Sequence, residues 1–209
     1  MASLLKSTIN TRVLPAGDGR FIRSDCPAEI TDEEIRWLAD QNITTAVDLR
    51  ELEECRLRPC RLENEPGFTY YHLPVSSGSV LPKSPEGVLE SYRSMLDAQM
   101  DRIIETIMNA DSRVIYFCHA GKDRTGSVSA VLLKKLGCDD ETIIRDYMET
   151  KDNVMGMLEA YTAEHPEQDI SFLIPKEENI KLILEAYEAA DGKFADWIGP
   201  DRRKMTGAD

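Results

Sequence analysis

The chain has 209 residues, a formal net charge of −13 and five cysteines. That length suits one α/β domain with a sizeable core, and the acidity speaks against a nucleic-acid partner or spontaneous adhesion to an anionic membrane, since both need clustered lysine and arginine. No apolar run approaches the roughly 20 residues of a membrane span, Met1–Lys6 lacks the long apolar stretch of a secretory signal, and an odd, irregularly spaced cysteine set argues for reduced thiols in a cytosol.

In chain order, Thr31 and Glu34 make a capping box ahead of Ile35, Trp37 and Leu38, which predicts a helix to about Asn42. Strands are predicted near 45–50 and 68–74. Ser84-Pro85-Glu86 then opens one long helix, with Val88, Tyr92, Met95, Leu96, Ile103 and Ile107 on a single face. Val114–Phe117 is apolar throughout, as a central parallel strand covered on both faces should be. A helix burying Val128, Val131, Leu132 and Leu136 follows and stops at Gly137. Asp140-Glu141 opens another through Tyr147, and two more are expected near 153–164 and 176–190. The alternation implies a mostly parallel central sheet with helices on both faces. A single domain over residues 1–200 is expected, helical from 140 to 198, with a flexible tail at 201–209. There are no repeats, linkers or low-complexity segments.

The most informative stretch is Cys118-His119-Ala120-Gly121-Lys122-Asp123-Arg124-Thr125-Gly126. It lies between the Val114–Phe117 strand and the helix that follows. A loop entering a helix presents backbone N–H groups without intrahelical partners, and the helix dipole adds positive charge there. The amides of His119, Ala120, Gly121, Lys122, Thr125 and Gly126 are therefore expected to line a nest for phosphate oxygens, which glycine permits by its positive φ. Arg124 adds a planar, always-charged fork. The same field favours the thiolate of Cys118, the nucleophilic form, and Thr125 is placed to donate to that sulfur. In-line attack on phosphorus, a phosphocysteine intermediate and hydrolysis follow. The scheme requires neither metal nor other cofactor.

Asp123, inside the loop, is the expected general acid. Its neighbours Lys122 and Arg124 favour the carboxylate, whereas the first chemical step needs the protonated form. Asp48, Asp97 and Asp101 are reserves. Ligands bind beyond the carboxyl ends of parallel strands, so Asp48 and Arg50 are candidate substrate contacts, with a structural ion pair to Asp25 or Asp48 as the alternative for Arg50. The arginines at 56, 58 and 61 interleave with glutamates at 51, 53, 54 and 63, the ordinary pattern of a solvated helix face.

The loop resembles that of the Cys-x5-Arg tyrosine and dual-specificity phosphatases, and Ala-Gly-Lys-Asp-Arg-Thr-Gly resembles a microbial tyrosine-phosphatase branch, some of whose members also hydrolyse phosphoinositides. Phe21-Ile22-Arg23-Ser24-Asp25, Ile30–Glu34 and Thr44–Arg50 are similar to that branch too, so the likeness covers roughly residues 10–150. It implies nucleophile, acid and phosphate clamp at Cys118, Asp123 and Arg124, and a broadened substrate range from Lys122. In two places the chain departs from the family. Phe117 stands where histidine usually precedes the cysteine, and Ser76-Ser77-Gly78-Ser79 carries no carboxylate where many relatives place their acid.

The remaining candidates have plainer readings. Cys26 and Cys138 read as buried thiols, and His72 as a strand residue near the mouth of the site. His165 reads as structural, and Met95, Met100, Met108, Met148, Met155 and Met157 as core filler. A protective disulfide from Cys55 or Cys60 to Cys118 is a minor possibility. The expected function is a cytoplasmic cysteine-dependent phosphomonoesterase, foremost a protein-tyrosine phosphatase acting on a phosphorylated protein. A phosphoinositide or dual-specificity phosphatase is the alternative. A catalytically weak phosphate-binding module and a sulfur-transfer or arsenate-reducing enzyme complete the set. The sequence leaves oligomeric state open.

Overall fold

The computed structural model describes residues 3–195. Among these, the strands β1 (Arg12–Val13), β2 (Phe21–Asp25), β3 (Ile43–Asp48), β4 (Thr69–His72) and β5 (Arg113–Cys118) form one sheet in the order β1-β2-β5-β3-β4. All neighbours run parallel except β1 with β2. The central strand is β5, and its register sets Cys118 beside Asp25 and Phe117 beside Asp48. Three strand ends therefore meet at one edge, which is where an open parallel sheet offers its crevice.

Alternation along β5 divides the core. Val114, Tyr116 and Cys118 face one apolar cluster, whereas Ile115 and Phe117 face another. The second cluster is closed by Ile35 and Leu38 of α1 (Asp32–Asp40), whose capping box between Thr31 and Glu34 forms as expected. The first is covered by α3 (Pro85–Arg93), α4 (Ala98–Met108), α5 (Asp123–Lys135), α6 (Asp140–Glu164) and α7 (Glu177–Ala189). A short helix, α2 (Leu52–Leu57), follows β3.

Three differences from the expected elements have a local cause in the structure. The long helix predicted from Ser84 to beyond Ile107 is two helices, because Asp97 turns its carboxylate onto the amides of Gln99 and Met100 and starts α4 afresh. The two helices expected at 140–147 and 153–164 are one, since Met148–Asp152 holds neither proline nor glycine and Thr150 is buried against Arg12 and Arg23. Finally, β3 stops at Asp48 instead of reaching residue 50, because the Asp48 carboxylate accepts the Arg50 amide at 3.0 Å and turns the chain. The tail expected at 201–209 lies outside the described residues. No helix among the described residues is long and apolar enough to cross a membrane.

Candidate active site

The segment from Cys118 to Arg124 is held from behind by its carbonyls. The Cys26 amide donates to His119 O at 3.2 Å, and Asn10 Nδ2 donates to Ala120 O and Gly121 O at 3.2 and 2.9 Å. Arg23 Nη2 also donates to Gly121 O, at 3.0 Å, and the Gly126 amide donates to Lys122 O at 2.7 Å. In a planar trans peptide the next residue's N–H points opposite to the carbonyl, and no peptide bond among the described residues is cis. Tying down four successive carbonyls thus turns the amides of Ala120, Gly121, Lys122 and Asp123 the other way. Among the described residues, the amides of His119, Ala120, Gly121 and Lys122 make no hydrogen bond within the chain. They form a nest at the N-terminus of α5.

Gly121 is what permits this curl. Its φ is +66°, and a Cβ there would lie 2.6 Å from the Ser24 carbonyl and the Asp25 amide nitrogen. Beneath it, Arg12 and Arg23 converge on Asp146, with Arg12 Nε 3.2 Å from its Oδ1 and Arg23 bonded to its Oδ2. Burial and the Arg23 charge lower the Arg12 pKa to about 10 despite Asp146. The Asp25 carboxylate accepts the amides of Ile9 and Asn10 and so locks the N-terminal segment whose Asn10 grips the loop. Burial nevertheless outweighs these bonds and pushes the Asp25 carboxyl up.

The loop opens into a cavity of about 280 Å³ lined by Cys118, His119, Ala120, Lys122, Asp123 and Arg124. Its outer wall comes from Gly78, Ser79 and Leu81, from Met157, Leu158 and Tyr161 of α6, and from Leu173. Cys118 is 3% exposed at the cavity floor. Arg124 reaches across to α2, where Nη1 and Nη2 lie 2.5 and 2.7 Å from the two Glu54 oxygens. Asp123 is held at both oxygens, Oδ1 by the Tyr92 hydroxyl and Oδ2 by Lys122 Nζ at 3.2 Å. Lys122 also donates to Leu173 O. The Thr125 hydroxyl is buried without a hydrogen-bond partner among the described residues, and such a group costs free energy until it finds one.

His119 sits at the rim with its side chain exposed; partial desolvation, then repulsion from Arg58, lowers its pKa. Asp48 and Arg50 do not line the cavity, which corrects their assignment as substrate contacts. Both are fully buried and paired at 2.6 Å, and Arg50 also donates to Arg58 O while Tyr70 donates to Asp48. The pair braces β3 below the site, and the Arg50 guanidinium lies 5.7 Å from the Phe117 ring, over its face. Phe117 is wholly buried on the α1 side of the sheet.

The reserve acids are engaged elsewhere: Asp48 with Arg50, Asp97 as the cap of α4, and Asp101 with the amides of Phe194 and Ala195. The five cysteines are free thiols. Cys55 lies 3.5 Å from Asp48 and 3.6 Å from His72, and burial followed by the Asp48 charge pushes its thiol up to about 12. Cys26 is buried as expected, whereas Cys138 is half-exposed. His72 stands on β4, its Nε2 2.8 Å from Arg50 O. His165 ends α6 and stacks on Tyr161 at 4.4 Å.

Sequence reasoning missed several site residues. Glu54 read as one charge among many on a solvated face, and Met157 as core filler, yet both line the cavity. Tyr92 read only as apolar surface, although its hydroxyl reaches Asp123. Asn10 carried no signal at all. The spacing between Arg124 and Glu54 is 70 residues, so only the fold brings them together.

The mostly parallel sheet sets a thiol at its central carboxyl edge, in an amide nest that starts a helix. The chain belongs to the tyrosine phosphatase family, whose profile matches residues 12–201. It is 26% identical over 137 residues to a tyrosine-protein phosphatase of Nostoc commune, covering 61% of this chain and 47% of that protein. It is 41% identical over 84 residues to the triple specificity protein phosphatase PtpB of Mycobacterium tuberculosis, covering 38% of this chain and 30% of that one. The chain thus spans less than half the length of these relatives. The crystal structure of human DUSP28 aligns over 91% of this chain and 99% of that one, with 14% identity and a TM-score of 0.45.

Proposed function

We propose that the protein is a cysteine-dependent phosphomonoesterase, foremost a protein-tyrosine phosphatase, working through a phosphocysteine on Cys118. The single observation that carries this reading is the set of four successive loop carbonyls bonded from behind, three by the scaffold and one by α5 itself, which leaves the loop amides turned the other way. Such a nest at a helix N-terminus suits a tetrahedral dianion. Family membership supports the same reaction class.

The steps follow from the geometry. Phosphate oxygens enter the nest, and Arg124 exchanges the Glu54 carboxylate for them. The Cys118 sulfur attacks phosphorus in line, the bond to the leaving oxygen breaks, and Asp123 passes its proton to that oxygen. Water then attacks phosphorus, Asp123 takes a proton from it, and the thiolate leaves. Thr125 supplies a hydrogen bond to the departing sulfur with its otherwise unpartnered hydroxyl.

Leu81, Met157, Leu158, Tyr161 and Leu173 make the outer cavity wall apolar, which suits an aromatic phosphoester on a protein. Lys122 is engaged by Leu173 O and Asp123, which leaves it less free to meet a second phosphate. A broader range, extending to serine, threonine or inositol phosphoesters, is the alternative raised by the likeness to a phosphatase named for triple specificity. The free thiols fit a reducing compartment such as the cytosol, and the reaction is carried by one domain.

Turnover of phosphotyrosine peptides, phosphoserine peptides and phosphoinositides by the native protein and by Cys118→Ser tests this. Phosphotyrosine should be turned over fastest, and Cys118→Ser should turn over none of the three. Full activity in Cys118→Ser would sink the mechanism, and stoichiometric binding without turnover by the native protein would make it a phosphate-binding module.

A further inference from the structure

We propose that Tyr92 and Tyr147 form a buried hydroxyl relay that positions the Asp123 carboxyl for proton transfer. This rests on Asp123 being the general acid, as proposed above. Tyr92 on α3 is 2% exposed and Tyr147 on α6 is 1% exposed. Their hydroxyl oxygens are 2.5 Å apart, and Tyr92 donates to Asp123 Oδ1.

A phenol has one proton to give. With that of Tyr92 spent on Asp123, the proton between the two rings must come from Tyr147. Asn179 of α7, 4% exposed, then hydrogen-bonds to the Tyr147 oxygen. Three helices thus hand one directed chain, Asn179 to Tyr147 to Tyr92, to the first residue of α5. The Tyr147 ring also lies against the backbone of α5, since a Cβ on Gly126 would meet it at 2.8 Å. Two phenylalanines would fill this volume more cheaply, because a buried hydroxyl costs free energy unless it is bonded.

Burial, and then the Asp123 charge, hold the Tyr92 hydroxyl well above its ordinary pKa, so it stays a donor through the working range. Oδ1 is thus held by Tyr92 and Oδ2 by Lys122, which fixes the orientation of the carboxyl. From this held carboxyl the proton passes to the leaving oxygen, and the carboxyl takes one back from water in the second step. The titratable and charged groups around the carboxyl include Tyr92 from α3, Tyr147 from α6, Lys122 and Arg124 from its own segment, and Cys118, His119 and Glu54 along the same cavity. Removing the Tyr92 donor must then cost the Asp123 carboxyl its aim.

The test compares Tyr92→Phe, Tyr147→Phe and Asp123→Asn with the native enzyme, measuring kcat/KM for aryl phosphates of graded leaving group. In Tyr92→Phe, kcat/KM for poor leaving groups falls about tenfold, a fraction of what a general acid supplies, while good leaving groups change little. Tyr147→Phe moves the leaving-group dependence the same way, by less. A Tyr92→Phe enzyme with native leaving-group dependence overturns the relay alone, as does equal slowing of every substrate. An Asp123→Asn enzyme that slows all leaving groups equally overturns the relay together with the acid assignment beneath it.

Discussion

Arg124 already holds a carboxylate where the proposed reaction requires a phosphate: its two terminal nitrogens lie 2.5 and 2.7 Å from the two oxygens of Glu54. Planar two-point pairing is what a guanidinium also offers a phosphate. The Glu54 side chain is 22% exposed and Arg124 4%, so the pair is shielded on one side only. On the proposed function, Glu54 keeps Arg124 extended and charge-balanced until a dianion displaces it.

Replacing Glu54 with glutamine removes the competing charge. Inorganic phosphate should inhibit Glu54→Gln several-fold more tightly than the native enzyme, while the fold loses on the order of 1 kcal/mol from the weakened pair. Inhibition constants and a denaturant titration measure the two effects. Unchanged phosphate inhibition would remove Glu54 as a competitor for the clamp.

The same pair sets a pH dependence. Burial alone would raise the Glu54 carboxyl, but hydrogen bonding and charge from Arg124 outweigh it and hold it below the ordinary range. A carboxyl depressed in the folded state contributes stability that is fully present above its unfolded value and is lost as pH falls through the folded one. Stability should therefore drop below about pH 4, and less steeply in Glu54→Gln. Parallel acid titrations of thermal stability check the sign.

Gly121→Ala places a Cβ 2.6 Å from backbone atoms of Ser24 and Asp25 at a φ of +66°. Neither neighbour can yield, since both belong to β2 beside the central strand. The loop must uncurl, at a stability cost of about 2–4 kcal/mol, with activity falling more than about 100-fold as the nest loses its aim. Near-native turnover in this variant would mean that the curl is not the binding geometry.

Asp146→Asn leaves Arg12 and Arg23 buried without their shared counter-charge. The expected loss is about 3–5 kcal/mol, the scale for breaking a buried pair, read from chemical unfolding. The loop should loosen with it, because Arg23 also holds Gly121 O.

Much of this was legible in the sequence wherever local chemistry decides. The capping box at Thr31, the apolar run of β5 and the loop–helix junction at Cys118 formed because near neighbours satisfy them. Helix boundaries failed where a single side chain arbitrates, as Asp97 does in ending one helix and starting the next. For the candidate site, the local signal in the sequence ends with the loop. Arg50 misled because an arginine after a strand end looks the same whether it faces substrate or pairs inward with Asp48. Glu54, Tyr92 and the α6 wall were invisible because nothing local distinguishes them from surface or core, and only tertiary packing brings them to the loop.

Asp123→Asn should lower kcat/KM for aryl phosphates with poor leaving groups by about 100-fold or more, the range a general acid contributes, and for good leaving groups far less. Equal slowing across the series would move the acid elsewhere.

The central claim is that Cys118 carries the phosphoryl group. Acid quenching during turnover of a phosphotyrosine peptide, followed by mass analysis of the fragment containing Cys118, tests it most directly. One phosphoryl group is expected on that fragment in the native protein, and more of it in Asp123→Asn, where hydrolysis lacks its base. Sustained turnover with no phosphate on Cys118 under any quench would contradict it.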